Sequence, residues 1–258
     1  MPHILVTNDD GVEAPGLLAL AQALRELGDV TVFAPDHNWS IAGHSKTMHK
    51  PLRVWEVTLA DGTKALTTNG APSDCVALAA LGLVKPTVDI VVSGINSSPN
   101  LGYDVTYSGT VAAAMEAAIS GWPGIAVSLD YSGRGHDVGR NRHWETAAAA
   151  AVVITRQVLA HGLPPNTLLN VNVPDVPLTA LAGYRATRLG QRVYRDVLIE
   201  RTDPRGMPYY WIGGDPPTGL HEENTDLQAV SQGYVSVTPL HMDMTHHAFL
   251  NTLARWLS

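Results

Sequence analysis

The sequence predicts an α/β protein with a Rossmann-like, doubly wound, mostly parallel sheet, followed by a β-hairpin and a C-terminal strand and amphipathic helix. Three observations carry this. Short apolar runs alternate with segments of helical period from the first residues to about Pro174. From about residue 183 the texture changes to two long β-rich runs around a turn. The chain then closes on a segment whose apolar residues fall on one helical side. In a chain of 258 residues this divides a Rossmann-like domain, residues 1–182, from an extension, residues 183–258. The hairpin is expected at about 190–213, and the final strand and helix at about 233–258.

The run "HILV" reads as a buried first strand and ends on "TNDDG". In "APGLLALAQALRELG", Leu17, Leu20, Leu24 and Leu27 form one stripe, with Pro15 near the start and Gly28 past the end, which marks a helix. "DVTVFAP" is the second strand, so the opening is a βαβ unit with a right-handed crossover. Helical "SDCVALAALG", strand "VDIVVSG", helical "SGTVAAAMEAAISG", strand "GIAVSLD", helical "WETAAAAAVVITRQVLAHG" and strand "TLLNVNVP" continue the alternation. "RVYRDVLIERTDPRGMPYYWIGG" is a long hairpin turning on "DPRG". Val193, Val197, Ile199, Tyr209, Tyr210, Trp211 and Ile212 give it too much apolar surface to stand alone, so it is expected to pack on another subunit. "GYVSVTPL" is a strand. "THHAFLNTLARWLS" is an amphipathic helix that docks on its own subunit or exchanges with a neighbour.

Composition is that of a globular protein, 45% hydrophobic and 16% charged. A net charge of -7 argues against binding a nucleic-acid duplex or a membrane surface, both of which are anionic. No run of about 18 apolar residues occurs. With a single cysteine, Cys75, no intrachain disulfide forms, and the sequence is read as cytoplasmic. Cys75 lies at helical spacing among apolar residues and is read as a buried small hydrophobe.

Asp9 and Asp10 place two like charges side by side at the end of a strand, an arrangement that needs a cation or hydrogen-bond donors to compensate it. In a parallel sheet, ligands bind beyond the strands' carboxyl ends. The loop "APDHNWSIAGHS" brings Asp36, Ser40, Gly43, His44 and Ser45 to the same edge, and "SGINSSPNLGYDVTYSGT" brings Asn96, Ser108, Gly109 and Thr110. These are oxygen donors without a nearby Cys or His at metal-ligand spacing, which favours Mg²⁺ or Mn²⁺ over structural zinc. Ser108 sits at a helix N-cap, so Ser108, Thr110 and backbone N–H groups form a candidate phosphate cradle. A metal beside a phosphate cradle points to phosphomonoester hydrolysis. "GVEAPGLL" lacks the Lys and Ser or Thr of a P-loop, and no G-x-G-x-x-G follows the first strand. His246 and His247 are read as solvated, with His44 and His247 kept as candidate proton donors. Arg192, Arg195, Arg201 and Arg205 are read as exposed edge charges of the hairpin.

Taken together, "TNDDG", "APDHNWSIAGHS", "SGIN…NLGYDVTYSGTVAAAMEA", "YYWIGG" and "GYVSVTPL" resemble the SurE family of survival-protein 5′/3′-nucleotidases over nearly the whole chain. The resemblance implies a Rossmann-like domain, a C-terminal extension exchanged between subunits, and homodimers or homotetramers. It implies metal-dependent release of phosphate from nucleoside monophosphates, and in some members cleavage of short polyphosphate. It carries the metal ligands, and with them the catalytic aspartates, onto Asp9, Asp10, Ser40 and Asn96, with one divalent cation, Mn²⁺ or Mg²⁺, per subunit. Asn8, Ser108, Gly109 and Thr110 match positions lining the phosphate pocket, and Gly43 is placed with them. The sequence departs from the family pattern at Ser97, Ser98 and Pro99, where Arg-Gly-Ala is usual, and at Ala71, where Thr is common. Two other readings stand beside hydrolysis. One is a non-catalytic nucleotide- or phosphate-sensing module; the other is an aspartyl-phosphate phosphatase, disfavoured because the aspartates are adjacent and residue 11 is Gly.

Overall fold

The computed structural model of the chain describes residues 1–130, 142–220 and 222–258. In chain order its elements are β1 (His3–Thr7), α1 (Pro15–Leu24), β2 (Asp29–Pro35), β3 (Val54–Thr58), β4 (Lys64–Thr68), α2 (Pro72–Leu78), β5 (Ile90–Asn96), α3 (Gly109–Ile119), β6 (Gly124–Asp130) and α4 (Trp144–His161). There follow β7 (Thr167–Pro174), β8 (Gly183–Ala186), β9 (Arg192–Thr202), β10 (Pro208–Gly219), α5 (Asp226–Ser231), β11 (Tyr234–His241) and α6 (His247–Leu257). Among the described residues no helix is long and apolar enough to cross a membrane.

Among the described residues nine strands form one sheet in the order β3-β4-β2-β1-β5-β6-β7-β11-β8. The pairs from β4 through β7 are parallel, while β3 runs antiparallel to β4 and β11 antiparallel to β7. Every residue of β1 and β5 is buried, as expected of strands covered on both faces. The strand period of two sorts their side chains. Ile4 and Val6 join the core beneath α1 and α4 with Leu17, Leu20, Ala147 and Ala151, whereas Leu5 faces the other layer with Phe33, Cys75, Val76, Ala113 and Ala117 of β2, α2 and α3. The chain leaves β1 to one side to form β2 and returns to the other side as β5. The gap between the carboxyl ends of β1 and β5 is therefore the topological switch point.

The expected α/β alternation is present, and several strands fall on the residues that the pattern marked. The β3–β4 hairpin, α5 and β8 carried no clear signal. β3 and β4 lie at the sheet edge with mixed exposure, so the two-residue alternation is blurred. The helix expected across "SDCVALAALG" regularly covers only Pro72–Leu78 before widening into a looser turn in which Gly82 takes φ +97°. Beyond β7, β11 and β8 extend the main sheet, and β9 and β10 form a separate two-stranded ribbon. In this chain alone the ribbon leaves Leu198, Trp211 and Ile212 between 64% and 82% exposed, and α6 buries none of its residues.

Candidate metal and phosphate site

β1 delivers the turn 8–11 to the switch point. Asn8 is buried and folds back on this turn: its Nδ2 donates to the Gly11 carbonyl at 2.9 Å, and its Oδ1 accepts from Gly11 N–H at 3.2 Å. Both ends of the amide are thereby used to shape the turn. Asp9 is 3% exposed and meets the first turn of α3, where Thr110 donates its N–H to Oδ2 at 3.0 Å and its hydroxyl to Oδ1 at 2.5 Å. That approach needs glycine at the first position of α3, since a Cβ on Gly109 would stand 2.8 Å from the Cβ of Asp9. Burial pushes the Asp9 carboxyl above the ordinary range; the Thr110 hydrogen bonds oppose the shift and the neighbouring Asp10 charge adds to it. Asp10, less buried, accepts from Ser97 N–H at 3.1 Å and from Asn38 Nδ2 at 3.2 Å. Among the described residues no Lys, Arg or His pairs with either carboxylate.

The loop that carries Ser40 is tied to this turn by Trp39 N–H, which donates to the Asp9 carbonyl at 2.7 Å. Gly43, at φ +59°, gives its N–H to the Tyr107 carbonyl at 3.0 Å, so its contribution is through the backbone. Asn96 ends β5 where the register with β6 slips, a bulge that redirects the side chain at the strand end. Its Nδ2 donates to the Ser98 carbonyl at 2.7 Å, and among the described residues its Oδ1 accepts nothing. Ser108 caps α3, its hydroxyl accepting from Val111 N–H at 3.1 Å, while the Gly109 N–H meets no acceptor among the described residues.

Asp9, Ser40, Asn96 and Ser108 line one cavity of about 360 Å³. Its outer wall comes from Ser97, Ser98, Pro99, Asp104, Tyr107 and, from the base of the ribbon, Tyr194. Ser97, Ser98 and Pro99 of this wall are the residues at which the sequence departs from the family pattern, whereas Asp104, Tyr107 and Tyr194 carried no local signal. Asp104 takes a hydrogen bond from the Tyr194 hydroxyl at 2.6 Å and a pair of 2.7 Å bonds from Arg192, contacts that span some 90 residues of chain and depend on how the ribbon docks. Arg192 is thus largely buried and ion-paired, not an exposed edge charge. Burial and the Asp104 carboxylate hold the Tyr194 hydroxyl above its usual range, so it stays a donor.

The remaining candidates lie outside the cavity lining. His44 pairs with Glu116 at 2.9 Å, and His247 pairs with Asp243 at 2.5 Å on the exposed start of α6. Asp36 is exposed and bonds to His37. Cys75 is fully buried, and burial pushes its thiol far above the reactive range. Among the described residues no cluster of three or more His, Cys, Asp or Glu forms. The oxygen donors from which a cation site is expected are the carboxylate of Asp9, the amide of Asn96 and the hydroxyl of Ser40 on the cavity lining, with the Asp10 carboxylate adjacent to Asp9 in the chain. This all-oxygen set fits a hard divalent cation.

A doubly wound sheet with paired carboxylates and a helix N-terminus at its switch point defines the class of open α/β protein whose polar crevice lies at the strands' carboxyl ends. The chain belongs to the SurE family: the family model described as survival protein SurE matches residues 4–196. It is 52% identical over 256 residues to a 5′-nucleotidase SurE of Chloroflexus aggregans, covering 98% of each chain. It is 49% identical over 258 residues to a 5′/3′-nucleotidase SurE of Escherichia coli, covering 99% of this chain and 96% of the other. The crystal structure of the SurE protein from Aquifex aeolicus superposes with a TM-score of 0.83 at 40% identity over the whole of both chains.

Proposed function

We propose that this chain is a metal-dependent phosphomonoesterase that hydrolyses nucleoside 5′- and 3′-monophosphates to nucleoside and phosphate. One observation carries the reading: adjacent Asp9 and Asp10, one of them buried, have no cationic partner among the described residues and stand beside the open N-terminus of α3. The names of the relatives support the same chemistry. Asp9, Asp10, Ser40 and Asn96 would hold one Mn²⁺ or Mg²⁺. When bound, that ion polarises the phosphoryl group and lowers the pKa of a water.

The chain's own groups do the rest. Thr110 fixes the Asp9 carboxylate, and Asn8 fixes the turn that presents both aspartates. The Gly109 N–H and Ser108 hydroxyl face the phosphate oxygens and stabilise charge that builds on them. Asp10, which among the described residues accepts hydrogen bonds from Ser97 and Asn38, is the carboxylate that accepts the proton of the attacking water. Tyr194, Tyr107 and Pro99 wall the cavity on the side where a leaving nucleoside sits. The exposed apolar faces of the β9–β10 ribbon and α6 serve assembly into a homo-oligomer, with α6 exchanged between subunits.

The test is phosphate release from a panel of nucleoside 5′- and 3′-monophosphates and a short polyphosphate, with metal stripped and then restored, alongside Asp10→Ala. Release that requires metal and falls at least about 10³-fold in the variant is expected from loss of a group acting in the transition state. Binding without release from any substrate would replace the enzyme by a nucleotide-sensing module.

A further inference from the structure

The connection between β2 and β3, residues 36–53, has no regular structure, yet it carries Ser40. Two backbone bonds fix where it passes the site, Trp39 N–H to the Asp9 carbonyl and Gly43 N–H to the Tyr107 carbonyl. Just beyond, two side chains of the loop turn inward to a single group. His44 Nε2 lies 2.9 Å from Glu116 Oε2, and Lys46 Nζ lies 2.7 Å from Oε1. Glu116 is 3% exposed on α3, where an unpaired carboxylate would be costly. It stands eight positions after Ser108, about 12 Å along the helix at 1.5 Å per residue. One rigid helix therefore presents Ser108 to the cavity, holds Asp9 through Thr110, and grips the Ser40 loop through Glu116.

We propose that Glu116 is a positioning residue for the metal site: by clamping His44 and Lys46 it sets the loop that brings Ser40 to Asp9. The inference rests on the metal reading given above. Glu116 lines no part of the cavity, and it acts only through the loop. A plain structural anchor would contribute to folding alone. A positioning residue sets the affinity of the site for the ion, as groups that orient metal ligands do.

The measurement is Mn²⁺ binding to the substrate-free protein, by calorimetry or by the electron paramagnetic resonance signal of the free ion. It compares wild type, Glu116→Gln, the double variant His44→Leu/Lys46→Met, and all three changes combined. With circular dichroism and oligomer size unchanged, Glu116→Gln is expected to weaken Mn²⁺ binding about 10- to 100-fold. The double variant should do the same, and the combination no more than either, because all remove one interaction. A lower Tm with wild-type Mn²⁺ affinity would overturn the proposal and leave Glu116 a structural anchor. Should Glu116→Gln fail to fold, the double variant decides, since His44 and Lys46 are partly exposed. A wild-type chain that binds neither Mn²⁺ nor Mg²⁺ overturns the metal reading and this one with it; wild-type binding with all variants unchanged overturns only the positioning.

Discussion

Asp9 gives up solvent to accept two hydrogen bonds from Thr110, with the charge of Asp10 next to it. Its raised carboxyl means that the metal-free folded state holds this proton more tightly than the unfolded chain does. Ionisation then costs stability once pH climbs above the unfolded value near 3.8, and the cost persists at neutral pH. Asp9→Asn removes the charge while an amide can still accept from the Thr110 N–H and donate to its hydroxyl. Metal-free Asp9→Asn is therefore expected to melt several degrees above metal-free wild type at pH 7. The two should converge near pH 3, and phosphate release should fall by at least about 10²-fold. Thermal melts at both pH values and a phosphate assay check this; a variant less stable than wild type at pH 7 would show that the carboxylate is compensated within the protein. The aspartate pair was legible in the sequence because adjacent like charges after a buried strand are anomalous on their face. The work of Thr110 and Asn8 was not. Their residue types fit a phosphate cradle equally well, and only the fold shows Thr110 spent on Asp9 and Asn8 on Gly11.

Among the elements, α3 carries the most, and its capping Ser108 and small residues announced it as a helix that begins at the site. The buried Glu116 gave no such notice, because its partners come from an irregular loop 70 or more residues earlier in the chain. Burial alone would raise the Glu116 carboxyl, but the His44 and Lys46 hydrogen bonds and charges overcome it and hold the group below the ordinary range. Its contribution to stability is thus complete above the unfolded value near 4.5 and is lost as pH falls through the lowered folded value. Tm followed from pH 7 to pH 3 should drop on the acid side more steeply in wild type than in Glu116→Gln; parallel curves would mean that the ion pair contributes nothing. The ribbon and α6 were also legible, since alternation and one-sided apolar spacing are local signals, and so was their excess of apolar surface. Register places Trp211 opposite Ile199 and Ile212 opposite Leu198, and α6 leaves Leu253 and Trp256 unburied in the single chain. Wild type is expected to sediment as an oligomer, while Trp211→Lys with Leu253→Asp shifts it toward monomer, because a charge in an apolar interface loses its hydration. A wild-type monomer at micromolar concentration, seen by sedimentation velocity, would refute assembly through these faces.

Across the whole molecule, the switch point gathers residues 8–10, the loop around Ser40, the end of β5, the start of α3 and Tyr194 at the ribbon base. The doubly wound order made the first four legible as neighbours, because each follows a strand's carboxyl end; the ribbon's arrival is a matter of docking that no local pattern records. The Asp9 and Asp10 carboxylates are held beside the Ser40 loop and Asn96 only in the folded state, so a divalent cation should bind the native chain far better than the unfolded one. At 100 times its dissociation constant such an ion stabilises by about 2.7 kcal/mol. For a domain of this size that corresponds to a rise in Tm of roughly 5–10 °C. Stripped protein titrated with Mn²⁺ in a thermal melt should show this rise at pH 7, and a much smaller one near pH 4, where protons compete for the aspartates. In Asp10→Ala, with the native fold verified by circular dichroism, the rise should vanish. The comparison separates the assigned site from adventitious binding on a chain of net charge -7, which could attract cations anywhere on its surface. Equal stabilisation of wild type and Asp10→Ala would place the ion elsewhere, and the two adjacent aspartates would then need another cation to account for them.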